Sequence, residues 1–96
     1  MSQTNPFEKN EPVIEEDAAI ALPFSVTLFN DDYHTFDEVI DQLIKAIKCP
    51  FTQARSYAFE VHVKGKAVVY KGDLQNCLKV SSILEEIGLH TQVTAE

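Results

Sequence analysis

Asn30-Asp31-Asp32 sets five carbonyl or carboxylate oxygens on three consecutive side chains, an acceptor-rich cluster with the Asn30 amide as its only side-chain donor. The acidic character continues through Asp37, Glu38 and Asp41, and no lysine or arginine follows Asn30 until Lys45. Two readings stay open for this group. One is a solvated turn followed by the ordinary acidic bias of a helix N-terminus. The other is a site for a cation, either a metal or an ammonium. A hard metal calls for carboxylates at a loop spacing such as D-x-D-x-D-G, which is absent. An ammonium needs only a few acceptors converging on one donor head, and Asn30 with the two aspartates can supply them.

Covalent and metal chemistry find little support. His34, His62 and His90 are scattered, and with Cys49 and Cys77 they offer none of the paired spacings of a zinc site. No serine sits in an elbow motif, and neither cysteine has a base beside it in sequence. A phosphoacceptor receiver would need a doubly wound parallel sheet, which the strand pattern does not offer. No enzyme, cofactor or metal is therefore expected.

The elements that must hold the cluster are legible around it. Phe24, Val26 and Leu28 alternate with Ser25 and Thr27, the period of a half-buried strand. Thr35-Phe36-Asp37-Glu38 fits a capping box. Phe36, Val39, Ile40, Leu43, Ile44 and Ile47 then recur at helical spacing until Cys49-Pro50. A second helix, with Thr52 as its cap, would carry Ala54, Tyr57, Ala58 and Val61. Val61-His62-Val63 fits either the end of that helix or a strand, and Gly65 forces a turn in both cases. Lys66 to Lys71 reads as a strand. Asp73 caps a third helix, which carries Leu74, Cys77, Leu78, Ile83, Leu84 and Ile87 and stops on Gly88. His90 to Ala95 reads as a closing strand. The order is β-α-α-β-β-α-β or close to it, an α+β domain with a small antiparallel three-stranded sheet packed against three helices.

Ninety-six residues make one domain, and roughly 75 folded residues lie near the lower limit for a self-sufficient core. Residues 1–21 read as a disordered acidic tail, either solubilising or interacting, and residues 22–96 as the folded domain. Five acids against one base give that tail −4 of the formal net charge of −7. Such acidity argues against nucleic acid and anionic membranes as partners and favours cationic ones. Met1 to Asn5 has no basic region, and the apolar run Ala18 to Leu22 is too short for a signal core. Two unpaired cysteines then imply a reducing, cytoplasmic setting.

Three pieces of the sequence together resemble the ClpS family of protease adaptors. They are Asn30-Asp31-Asp32-Tyr33 after a β run, the helix beginning Phe36-Asp37-Glu38-Val39-Ile40-Asp41, and Val61-His62-Val63-Lys64-Gly65-Lys66-Ala67. The resemblance covers roughly Pro23 to Glu96 and turns the Val61-His62 ambiguity toward a helix end. It implies a monomeric, non-enzymatic adaptor that binds the free N-terminal residue of a substrate. Delivery would be to the N-terminal domain of a Clp AAA+ unfoldase of the ClpA or ClpC type. Asn30, Asp31, Asp32 and His62 would capture the substrate's α-amino group. His34, Phe36, Val39, Ala58 and Val61 would line an apolar pocket for a Leu, Phe, Tyr or Trp side chain. Lys79 would help dock the unfoldase, and the tail would engage its pore.

Departures from the family pattern accompany the match. Ala58 stands where methionine commonly gates the pocket, Phe36 replaces another frequent methionine, and His34 occupies a usual threonine position. They predict an enlarged or relaxed pocket that admits Trp or β-branched residues more readily, unless Phe36 refills the space that Ala58 leaves. The alternative function is a docking module of the same fold that modulates a Clp ATPase without reading N-termini.

Overall fold

The computed structural model describes residues 23–96, so the tail predicted over residues 1–21 lies outside the described residues. Six elements follow one another: β1 (Phe24–Phe29), α1 (Phe36–Ile47), α2 (Phe51–Lys64), β2 (Lys66–Gly72), α3 (Leu74–Glu85) and β3 (His90–Ala95). The strands form one antiparallel sheet in the order β2-β1-β3. Three helices and three strands are those expected. The observed order is β-α-α-β-α-β, because Val61-His62-Val63 forms the last turns of α2 and adds no strand before β2.

β1 is short, yet as the central strand it fixes the register of the whole sheet. Phe24 pairs with Gly72 on one side and Ala95 on the other, and Phe29 with Lys66 and His90. The pairing with β2 shifts between Val26 and Thr27, a bulge-like irregularity that raises local twist. Val26 and Leu28 point into the core and are fully buried beside Ile40, Leu43, Val69, Cys77 and Leu84. Truncating Leu28 or Leu43 to alanine removes a close-packed side chain, at a cost of about 2–5 kcal/mol. On the other face Thr27, Phe29, Val68, Gln92 and Thr94 border a groove. Ser25 is buried despite its polar side chain, and its hydroxyl lies 3.3 Å from that of Thr94.

α1 starts as its sequence dictates. The Glu38 N–H donates to the Thr35 hydroxyl at 3.1 Å, and the Thr35 N–H donates to the Glu38 carboxylate at 2.7 Å. It ends on Lys48 in the left-handed region, with φ 56°. α2 begins one residue before Thr52, so Thr52 is not its cap. Pro50 takes the cap position in extended backbone, and its carbonyl accepts from the N–H groups of Gln53 and Ala54. A proline there needs no donor of its own and arrives with φ already set.

Asp73 caps α3 by accepting the Asn76 N–H at 2.7 Å. The buried stripe of α3 is Cys77, Val80 and Leu84, which leaves Leu74 and Leu78 exposed. Ile87 lies beyond the helix, in the turn that Gly88 closes at φ 90°. Cys49 and Cys77 are free thiols. Among the described residues no helix is long and apolar enough to cross a membrane.

Candidate functional site

The end of β1 is tied to the end of α2 by one hydrogen bond. The Asn30 N–H donates to the Gly65 carbonyl at 2.9 Å. Gly65 terminates α2 at φ 89°, a conformation glycine adopts without the steric penalty of a Cβ. His62 occupies the last turn of that helix. The acceptor loop and the imidazole, far apart in sequence, thus meet through backbone geometry.

Asp31 shapes the loop. Its Oδ1 accepts from the N–H groups of Tyr33 and His34, each at 2.9 Å, an Asx-type turn in which a side chain replaces a backbone acceptor. Its Oδ2 lies 2.7 Å from His34 Nδ1. The other ring nitrogen, His34 Nε2, lies 2.6 Å from the carbonyl oxygen of Ile87 in the turn after α3. Partial burial pushes the Asp31 carboxyl upward, but the two N–H donors and the imidazole outweigh it and hold the group below its ordinary value. The Ile87 carbonyl and then the Asp31 carboxylate hold the His34 proton on, and its pKa is raised.

One open cavity of about 450 Å³ is bordered by all nine residues that the sequence predicts for the amine site and its pocket. That volume lies within the range of small-ligand clefts. Asn30, Asp31, Asp32 and His62 supply polar groups, and His34 lies behind Asp31. Phe36 and Val39 come from α1, and Ala58 and Val61 from α2. Ala58 and Val61 are buried and half-exposed Phe36 forms part of the rim. Ala58, Val61 and His62 share one face of α2 at i, i+3, i+4, so a single helix supplies apolar wall and imidazole together. An acceptor-rich rim over an apolar floor suits a ligand that joins a donor head to an apolar side chain. Lys79 is exposed on α3 and is not among the residues bordering the cavity.

The partnership of His34 with Ile87 is the feature that sequence reasoning misses. Asp31-x-x-His34 carries a usable signal for the local half, since an Asp accepting the N–H groups two and three residues on is a recurrent turn. Nothing local marks the Ile87 carbonyl. Among the described residues no group of three or more His, Cys, Asp or Glu side chains is gathered as for a metal ion.

Comparison with known proteins identifies the family and the fold. Residues 21–92 match the family model of the ATP-dependent Clp protease adaptor protein ClpS. The Clp protease adapter protein ClpS of Wolinella succinogenes is 35% identical over 77 residues, which cover 76% of this chain and 74% of that protein. The human E3 ubiquitin-protein ligase UBR2 is 39% identical over 57 residues, 59% of this chain but 3% of the ligase's length. Among solved structures, Agrobacterium tumefaciens ClpS2 bound to L-phenylalaninamide superposes with a TM-score of 0.74 at 21% identity, over 79% of this chain and 99% of that one. At that identity the likeness speaks for the fold. The family is one of protease adaptors and not of proteases. With its sheet, its helices and its matched length in agreement, the chain belongs to the ClpS family.

Proposed function

We propose that this adaptor binds the free N-terminal residue of substrates whose first side chain is Leu, Phe, Tyr or Trp, and passes them to a Clp AAA+ unfoldase. The observation that carries the reading is the single cavity in which Asn30, Asp31, Asp32 and His62 meet Phe36, Val39, Ala58 and Val61. A free α-amino group is mostly cationic at neutral pH, with a pKa of about 8. It brings three N–H donors to acceptors that a blocked or internal residue cannot satisfy, and such sites discriminate strongly. The first side chain would enter between α1 and α2. L-Phenylalaninamide, the ligand of Agrobacterium ClpS2, combines an α-amine with a benzyl group, the chemistry this cavity favours.

Docking to the unfoldase is assigned to the outer face of α3, where Lys79 stands beside exposed Leu78. The N-terminal domain of a ClpA or ClpC type ATPase is the proposed partner. The similarity to UBR2 spans 3% of that ligase, and no ligase activity is assigned. Fluorescence anisotropy with Phe-, Leu- and Trp-initiated peptides against their N-acetylated forms tests the reading. Free peptides bind and acetylated ones do not; equal affinity for both would remove it.

A further inference from the structure

The His34 ring lies between two groups that can only accept. The Asp31 carboxylate faces Nδ1 at 2.7 Å and the Ile87 carbonyl faces Nε2 at 2.6 Å. A neutral imidazole carries one N–H and can serve one of them, whereas an imidazolium serves both. Serving only one would leave a bare ring nitrogen facing an acceptor oxygen, lone pair against lone pair, at hydrogen-bond distance. The ring is also well enclosed, with 14% of its side chain exposed, and a Cβ placed on Gly88 would lie 3.8 Å from it.

We infer that His34 is the positioning residue of the amine site. As an imidazolium it clamps the Asp31 carboxylate and ties the acceptor loop to the turn after α3. This rests on the reading of the cavity as an α-amine site. Oδ1 of Asp31 is already occupied by two backbone N–H groups, and the clamp on Oδ2 removes the remaining freedom of the carboxylate. What Asp31 offers a ligand is then a fixed acceptor direction. The sequence link runs from Asp31-x-x-His34 to a contact across to Ile87, so α3 and the amine loop move as one body.

The groups facing His34 decide how this responds to pH. Asp31 lies on its own loop, and Glu38 adds its field from the first turn of α1. Asp32 and His62 share the cavity, His62 from α2. From the turn after α3 the ring meets the Ile87 carbonyl, while Glu86 there is engaged by Lys45 and Gln42. The imidazolium charge is thus already offset by Asp31 and Glu38, and its repulsion of an incoming ammonium is small. Loss of the proton breaks one side of the clamp, so that either the Asp31 carboxylate or its tie to the turn after α3 is released, and hydrogen-bond capture weakens steeply with misdirection. Affinity for an N-terminal amine therefore falls as His34 deprotonates.

The test has two arms on the full chain. Nitrogen-15 NMR of the ligand-free protein should find both His34 ring nitrogens protonated at neutral pH. Binding of a Phe-initiated peptide is then compared between wild type and His34→Gln, with His34→Thr as a second variant and circular dichroism as the check on folding. At pH 6 wild type should bind about 10-fold more tightly, and this ratio, in which the peptide's own titration cancels, should shrink toward one as pH rises through the His34 transition. A singly protonated ring at neutral pH, or a ratio that does not change with pH, overturns the inference while leaving the adaptor reading intact. Wild type that ignores acetylation of the peptide removes the adaptor reading and with it the role of His34, while the NMR arm still decides the charge state.

Discussion

The N–H of Asn30 and the carbonyl of Gly65 are joined across 2.9 Å, the end of the central strand meeting the end of α2. This bond fixes how an acceptor loop and the last turn of a helix share one cavity. Gly65 is left-handed at φ 89°, so the residue that ends α2 also aims the carbonyl that receives Asn30. Strand end and helix end are rigid, and the loop between β1 and α1 is held at both of its margins. His62 needs no loop of its own to reach the site.

Asp31→Ala and His62→Ala should each weaken binding of a Phe-initiated peptide by about 2 kcal/mol or more, because each removes a charge-assisted partner. Anisotropy titrations measure this. Acetylated peptides serve as the control and should show no further loss.

Ala58 is 2% exposed at the cavity wall, facing the space that Phe36 rims. Ala58→Met should narrow the pocket and reduce binding of Trp-, Ile- and Val-initiated peptides relative to Phe. A wild type that rejects Ile and Val as firmly as the variant does would show that Phe36 already fills the gap.

Stability should depend on pH through the Asp31–His34 pair. The Asp31 pKa is lowered, so its contribution is complete above the ordinary aspartate value of about 4 and is lost as pH falls through the folded-state value. The His34 pKa is raised, so its contribution is complete below the ordinary histidine value of about 6.5 and is lost as pH rises through the folded-state value. Urea denaturation across pH should show a plateau between these limits and a decline above it. Glu86, held low by the hydrogen bond and charge of Lys45, adds to the acid limb, so the alkaline limb is the discriminating one. His34→Thr should lack it.

The capping box of α1 offers a separate check on local structure. Thr35→Ala removes the acceptor of the Glu38 N–H and should destabilise the domain by about 1 kcal/mol. Because α1 supplies Phe36 and Val39 from its first turn, the same variant should also loosen peptide binding slightly. Chemical denaturation reads the first effect and anisotropy the second.

Wherever a short stretch decides its own conformation, the sequence is sufficient. The alternation of β1, the Thr35 and Asp73 caps, and the stop at Gly65 are local choices of backbone and neighbouring side chains, whereas α3 stops at Glu85, three residues before the Gly88 expected to end it. The family motifs added the positions of the cavity residues, and all nine border one cavity. Three features depended on what the chain meets at a distance. Val61-His62-Val63 satisfies helix and strand periodicity alike; packing of Val61 into the core as the end of α2 chose the helix. The inward stripe of α3 took Val80 and left Leu74 and Leu78 outside, since several faces of that helix are apolar enough to bury and only docking on the sheet selects one. The grip of His34 on Ile87 joins residues 53 positions apart in the chain, and no local spacing encodes the 2.6 Å that folding brings about.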